Sequence, residues 1–249
     1  MRDSRIFSTR EELEQIASVI RNYTLLPVSS DTIPGRFLEG VLAYVRNAEA
    51  LPTYDFVDVV KRDASCGWQV KSSRRNSPVT WARAKIAESS RLIARSENSQ
   101  ADLQKLGDAI IAHCNRHVQN SLAKYELDEI GYARLILHPD RTVTYFERLL
   151  VTREEPMLFD PRDFEWKWSE PKPGKAKELL PSLHGFNRGT QKKWFAWYGR
   201  GENQLHFDGE KSWWPTEDSH SIRFQLPKET EQLDFEAFAE LLTRLSQEN

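Results

Sequence analysis

The chain has 249 residues, 39% of them hydrophobic and 11% aromatic, which excludes a disordered protein and is enough for a substantial core. With 35 Lys and Arg against 37 Asp and Glu, the net charge is −2, so there is no global attraction to a polyanion. No apolar run approaches the roughly 18 residues that span a bilayer. The N-terminus is charged and lacks a signal-peptide core, and two cysteines, Cys66 and Cys114, are too few for a disulfide framework. A cytoplasmic protein without a membrane segment is expected.

In chain order, residues 9–24 carry Leu13, Ile16, Ala17 and Ile20 at helical spacing, with Thr9 as N-cap and Glu12 placed for a capping box. This reads as a packing or dimerisation helix. Pro34 opens a second helix, with Phe37, Leu38, Val41, Leu42 and Val45 as its apolar stripe and Glu39 beside it. Residues 54–60 and 68–72 read as two strands around a turn at 63–67. The first strand carries Asp55 and Asp58, and an acid in an apolar strand is costly unless it is paired or binds a metal. On the second, the period of two puts Gln69 and Lys71 on one face and Trp68 and Val70 on the other.

Residues 61–95 hold nine Lys/Arg against Asp63 and Glu88, a local charge of +7. Such a run either neutralises phosphates of a nucleic acid or is a solvated basic surface. Residues 101–125 form the clearest helix, with Leu103, Leu106, Ile110, Cys114, Val118 and Leu122 on a stripe to be buried against a sheet. His113 and His117 stand four apart on it, a spacing that can hold zinc, but no further Cys or His pair lies nearby. Residues 131–138 and 142–151 read as a hairpin across Pro139-Asp140-Arg141.

Beyond residue 154 the composition changes. Six of the eight tryptophans (166, 168, 194, 197, 213 and 214) crowd into this region. They read as an aromatic core, as part of a base-reading surface in which Asn187, Arg188, Gln191, Lys192 and Lys193 offer groove contacts, or as both, with the rings inside and the polar loop residues outside. A strand at 222–226 and a packing helix carrying Leu233, Phe235, Phe238, Leu241, Leu242 and Leu245 close the chain. The expected domains are 1–153, a core with N-terminal helices, and 154–249, a Trp-rich extension or subdomain.

The set Pro52, Asp55 or Asp58, and Gln69-Val70-Lys71 resembles the PD-(D/E)XK nuclease superfamily, which includes most type II restriction endonucleases. That family carries an acid on one strand and an acid-x-lysine on the next. Here Gln69 stands in the second acid's place, as in QxK variants, so another acid has to come from elsewhere, and Glu39 on its helix is placed to supply it. The resemblance implies an α/β (α+β) fold, a central mixed β-sheet flanked by helices, to which composition adds a Trp-rich β-containing C-terminal region. It implies Mg²⁺, with Mn²⁺ as a substitute, held by Asp58, or Asp55 in its place, helped by Glu39 and by backbone or amide oxygens around Gln69 and Val70, and catalysis by Asp58, Gln69, Lys71 and Glu39.

It also implies cleavage of sequence-specific double-stranded DNA to 5′-phosphate ends by a homodimer. DNA contacts are expected from Ser72, Ser73, Arg74, Arg75, Arg83 and Lys85 as well as from the 187–193 loop. The alternatives are a junction-resolving or repair nuclease of the same fold, a non-catalytic nucleic-acid binder, and an interaction protein that uses its tryptophans.

Overall fold

A computed structural model of the chain describes residues 5–29, 32–52, 55–75, 77–170, 181–216 and 220–247. The described residues form a mixed α/β protein of five α-helices and two sheets. The chain divides into two compact units: Met1–Ser77, Glu129–Leu149 and Pro215–Asn249 form one, and Pro78–Asp128 with Leu150–Trp214 the other. The units interleave, whereas composition had suggested a linear boundary at residue 153. The cause lies in long-range pairing, which composition does not register. A strand near the C-terminus returns to the first sheet, and the strand at residue 79 pairs far down the chain.

In the first unit, helix α1 (Arg10–Thr24) starts on the Thr9 capping box: Glu12 N–H donates to Thr9 Oγ1 at 3.2 Å and Thr9 N–H to Glu12 Oε2 at 2.7 Å. Its Leu13, Ile16, Ala17 and Ile20 are all buried within its own unit. Helix α2 (Gly35–Val45) follows Pro34 and buries Leu38, Val41, Leu42 and Ala43.

The first sheet has the order β1-β2-β3-β5-β6-β11, with β1 at Glu49–Ala50, β2 at Val59–Lys61, β3 at Cys66–Arg74, β5 at Glu129–Leu137, β6 at Thr142–Thr152 and β11 at Ser221–Gln225. β1, β2 and β3 are antiparallel, β3 and β5 parallel, and β6 and β11 antiparallel, so the sheet is mixed. Trp68, Val70, Ala133, Leu135, Val143, Tyr145, Ile222 and Phe224 share one core with the apolar residues of α1 and α2.

Two expectations change here. The first strand of the 54–72 pair is shorter, beginning at Val59, because the Asp58 side chain takes over the ladder at that point (below); Tyr54 lies outside the described residues. The second is longer, since Cys66 and Gly67 already pair with Lys61 and Val60. The chain turns instead through residues 62–64 and Ser65, which sits in the left-handed region at φ 48°.

The closing helix α5 (Phe235–Gln247) also departs from expectation, since none of its residues is buried. Phe235 is 67% exposed and Leu242 52%. The apolar residues of β11 pack with α1 in the first unit's core.

In the second unit, the sheet has the order β4-β10-β9-β8-β7. Its strands are β4 (Val79–Arg83), β7 (Phe164–Trp168), β8 (Leu183–Asn187), β9 (Lys193–Trp197) and β10 (Gln204–Phe207). Helix α3 (Ser89–Ser96) precedes helix α4 (Gln100–Lys124), which the Ser99 hydroxyl caps by accepting the Asp102 N–H at 3.2 Å.

The α4 stripe is buried as its periodicity predicts, and the helix packs on β7, with Gly107 against the Trp166 indole. Trp81, Phe159, Phe164, Phe195, Phe207 and Trp213 make a cluster of stacked and edge-on rings. The tryptophan-rich region is thus an aromatic core, with Trp166 and Trp197 fully buried.

Candidate functional site

The acids and the lysine come together where β2 meets β3. Asp58 directly precedes β2. Its backbone N–H donates to the Trp68 carbonyl at 2.8 Å, and its Oδ2 accepts the Val70 N–H at 2.7 Å. A side-chain oxygen therefore fills the position that a backbone carbonyl would take in a regular ladder.

Burial pushes the Asp58 carboxyl up to about 6. The Lys71 charge, the Val70 N–H and, more weakly, Arg36 oppose this, while Glu39 adds to it. Four charged groups on three elements thus act on one another. Desolvation prevails, so the carboxylate receives less compensation than its burial demands.

Glu39 projects from α2, with a side chain 16% exposed, and accepts the Arg36 guanidinium at 2.8 Å. Arg36 also donates to the Leu51 carbonyl at 2.6 Å, and the Leu51 N–H donates to the Asp58 carbonyl at 2.8 Å. This relay ties α2 to the Asp58 backbone. Arg36 was missed at the level of sequence, although its i,i+3 spacing to Glu39 is the ordinary signal of a helical ion pair.

Gln69 is buried, and Lys71 is partly exposed on the same alternate of β3. Lys71 lies beside Arg134 in the parallel register. Arg134 is fully buried and donates to Ser73 Oγ at 2.7 Å and to the Leu135 carbonyl at 3.1 Å. Asp55 sits half-buried in a bend outside any strand.

The donors assembled here are oxygens, the class that a hard divalent cation takes. Asp58 also has the under-compensated charge that a cation would offset. Among the described residues, no three His, Cys, Asp or Glu side chains converge as a metal group. A cation at Asp58 and Glu39 would therefore need amide or backbone oxygens to complete its shell. His113 and His117 have ring centroids 5.9 Å apart and likewise gain no third ligand among the described residues.

The residues expected to touch DNA fall in separate places. Ser72 donates inward to the Ile33 carbonyl at 2.6 Å, and Ser73 serves Arg134. Arg74 and Arg75 are exposed at the end of β3 in the first unit, whereas Arg83 and Lys85 are exposed in the second. The basic run is therefore divided between the units.

Arg188, Gln191, Lys192 and Lys193 are exposed on the β8–β9 turn. There Asn187 Oδ1 accepts the Thr190 N–H at 2.9 Å, and Gln191 donates to the Arg188 carbonyl at 2.7 Å. Asn187 and Gln191 thus shape the loop, while Arg188, Lys192 and Lys193 present their charges to solvent. No helix among the described residues is long and apolar enough to cross a membrane. Comparison with protein-family models, with curated proteins and with solved structures found no match.

Proposed function

We propose that this chain is a divalent-metal-dependent DNA endonuclease of the PD-(D/E)XK type in its QxK form, acting as a type II restriction enzyme on double-stranded DNA. One observation carries the reading: the Asp58 carboxyl, raised to about 6 by burial, sits just before β2, holds the Val70 N–H of β3 and feels the charge of Lys71 more than any other. A mixed sheet flanked by helices, with the acid at the start of one strand and Gln69-Val70-Lys71 on its neighbour, supports it.

In this reading Asp58 and Glu39 hold Mg²⁺, with an amide or backbone oxygen at Gln69 or Val70. The bound cation would acidify water and neutralise phosphate charge. Lys71 orients the attacking water and offsets the charge that builds on the scissile phosphate. The Val70 N–H fixes the Asp58 rotamer, and Arg36 positions Glu39. The products are 5′-phosphate ends, the enzyme works as a cytoplasmic homodimer, and the exposed Arg74, Arg75, Arg188, Lys192 and Lys193 contact DNA.

Incubating the purified chain with plasmid DNA, with and without Mg²⁺, tests the proposal. Discrete Mg²⁺-dependent fragments are expected, and intact plasmid across a range of sequences and divalent cations would reject it. A second reading, a nucleic-acid binder without catalysis, is favoured by the absence of a three-acid group among the described residues. It predicts salt-dependent binding with no cleavage under any divalent cation.

A further inference from the structure

The parallel strands β3 and β5 end side by side, with Arg74 in register with Leu137, and the Arg75 N–H donates to the Leu137 carbonyl at 3.1 Å. Beyond these ends lies a cavity of about 420 Å³, within the size range of small-molecule sites. The carboxyl ends of parallel strands are a recurrent place for ligands, because the connections diverge there. Three guanidiniums (Arg74, Arg75 and Arg141) and the imidazole of His138 line it, against one carboxylate, Glu229.

Most of the polar lining is already committed. Arg141 holds the Pro227 carbonyl at 2.8 Å and Glu229 at 3.1 Å. The Ser29 hydroxyl donates to the Thr24 carbonyl, and Gln232 donates to both residues. His138 Nε2 shares a hydrogen with Thr144 Oγ1 at 2.9 Å.

Arg75 is the exception, for among the described residues its guanidinium has neither hydrogen-bond nor ion-pair partner. With Glu229 already paired, the cavity carries excess positive charge. Planar guanidiniums on strand ends match the oxygens of a phosphate. The volume exceeds what one phosphate fills, and Ile33, Leu137 and Leu226 supply an apolar wall for an attached group.

We propose that this cavity binds a phosphate monoester, with Arg75 and Arg74 on the dianion, Arg141 behind them, and the esterified group packed on Ile33, Leu137 and Leu226. Two sources share that chemistry, a free nucleoside monophosphate and the terminal phosphate of a nucleic-acid strand. The site lies apart from the Asp58 carboxyl and needs no divalent cation, so it stands whether or not the chain cleaves DNA.

Electrostatics around His138 agree with the geometry. Its pKa is lowered by burial first, then by the charges of Arg75 and Arg223, with Asp140 acting in the opposite sense. A dianion beside Arg75 would offset the two guanidiniums and move the imidazole back up.

Isothermal titration calorimetry on the full chain without divalent cation tests the proposal. The probes are adenosine 5′-monophosphate, adenosine, and a short oligonucleotide with a 5′-phosphate or a 5′-hydroxyl. The phosphorylated probes are expected to bind at least about tenfold more tightly than their unphosphorylated partners, as a charge-assisted contact implies. Arg75→Gln should weaken that binding by about tenfold, Arg75→Lys by less, and Lys71→Ala should leave it unchanged. Circular dichroism of each variant verifies the fold.

Binding of the mononucleotide points to a free metabolite, and binding of the 5′-phosphorylated oligonucleotide alone points to a strand end; either supports the site. Equal affinity with and without phosphate, or an unchanged affinity in folded Arg75→Gln, would overturn it. The His138 ring resonances give an independent reading, since saturation with the tighter phosphorylated probe should raise the imidazole pKa.

Discussion

Asp58 Oδ2 accepts the backbone N–H of Val70 at 2.7 Å, so the acid is both an edge of the sheet and a member of the charged cluster. A carbonyl oxygen could satisfy that N–H equally well and without charge. The sheet alone therefore gives no reason for a buried carboxylate, and the charge it retains next to Lys71 is a cost to the fold.

That cost can be measured. The Asp58 pKa is raised from 3.8 to about 6, so the native state keeps a proton that the unfolded chain has already released. Stability therefore falls as pH rises from about 4 through 6, by roughly 2–3 kcal/mol for a shift of this size, and stays reduced above it. Asp58→Asn keeps an acceptor for the Val70 N–H and removes the charge. At pH 8 it should be more stable than the parent by up to that amount in urea unfolding, converging with it near pH 4. Cleavage should be lost in the same variant. An Asp58→Asn chain less stable at pH 8 would show that the charge is compensated in the fold.

Lys71 is predicted to act on the reaction and not on the complex. Lys71→Ala should lower Mg²⁺-dependent cleavage by about 10²-fold or more, the scale of a lost general base or electrostatic contact. DNA affinity in Ca²⁺ should change little, because the proposed phosphate contacts come mainly from exposed arginines and lysines elsewhere. Near-normal cleavage by the variant would remove Lys71 from the mechanism.

Part of this was legible in the chain itself, and the division follows the range of the forces involved. Thr9 with Glu12, the α4 stripe from Leu103 to Leu122, and the hairpin around Pro139-Asp140-Arg141 are set by neighbours within a few residues. The strand before Lys71 was over-extended, because no local pattern shows a side chain replacing a carbonyl in the ladder. The interleaving of the two units was invisible too, since β11 on β6 and β4 on β10 are pairings across long stretches of chain. Arg75, Arg141 and His138 meet only after β3 and β5 align, so their cavity has no sequence signature.

A second acid, fully inside the protein, accepts three hydrogen bonds. Glu147 accepts the Ser8 N–H at 2.6 Å, the Ser8 hydroxyl at 2.7 Å and the Tyr145 hydroxyl at 2.8 Å, while burial alone pushes its pKa upward. Beside it Arg46 donates to Ser8 Oγ at 2.9 Å and to the Arg5 carbonyl at 2.7 Å, and its guanidinium lies 5.0 Å from the Trp68 ring centroid. Arg46→Ala removes one partner from a buried polar network and should cost about 3–5 kcal/mol in urea unfolding. Arg46→Met keeps the stem over Trp68 and should cost less. Equal losses in both would assign the whole effect to the guanidinium.

Two helical glycines should respond in opposite directions. A Cβ on Gly107 would fall inside the Trp166 indole, whereas one on Gly40 meets nothing within 4 Å. Gly107→Ala should therefore destabilise by at least about 1–3 kcal/mol through overpacking. Gly40→Ala should stabilise by about 0.5–1 kcal/mol through helix propensity. Urea midpoints of the two variants test the packing of α2 and α4 separately, and a stabilising Gly107→Ala would contradict the seating of α4 on β7.

Helix α5 is the element whose removal should matter least to the fold. None of its residues is buried, and Phe235 and Leu242 are more than half exposed. Just before it, the Leu233 N–H donates to the Leu25 carbonyl at 2.8 Å and Gln232 donates to Thr24 and Ser29. A chain ending at Leu233 keeps those bonds. Burial of so little apolar area contributes on the order of 1 kcal/mol or less, and that corresponds to a melting-temperature change of about 2–4 °C or less at this chain length. Differential scanning calorimetry of the truncated chain measures it. A drop well beyond that range would show that α5 stabilises the protein through contacts that a single copy of the chain does not make.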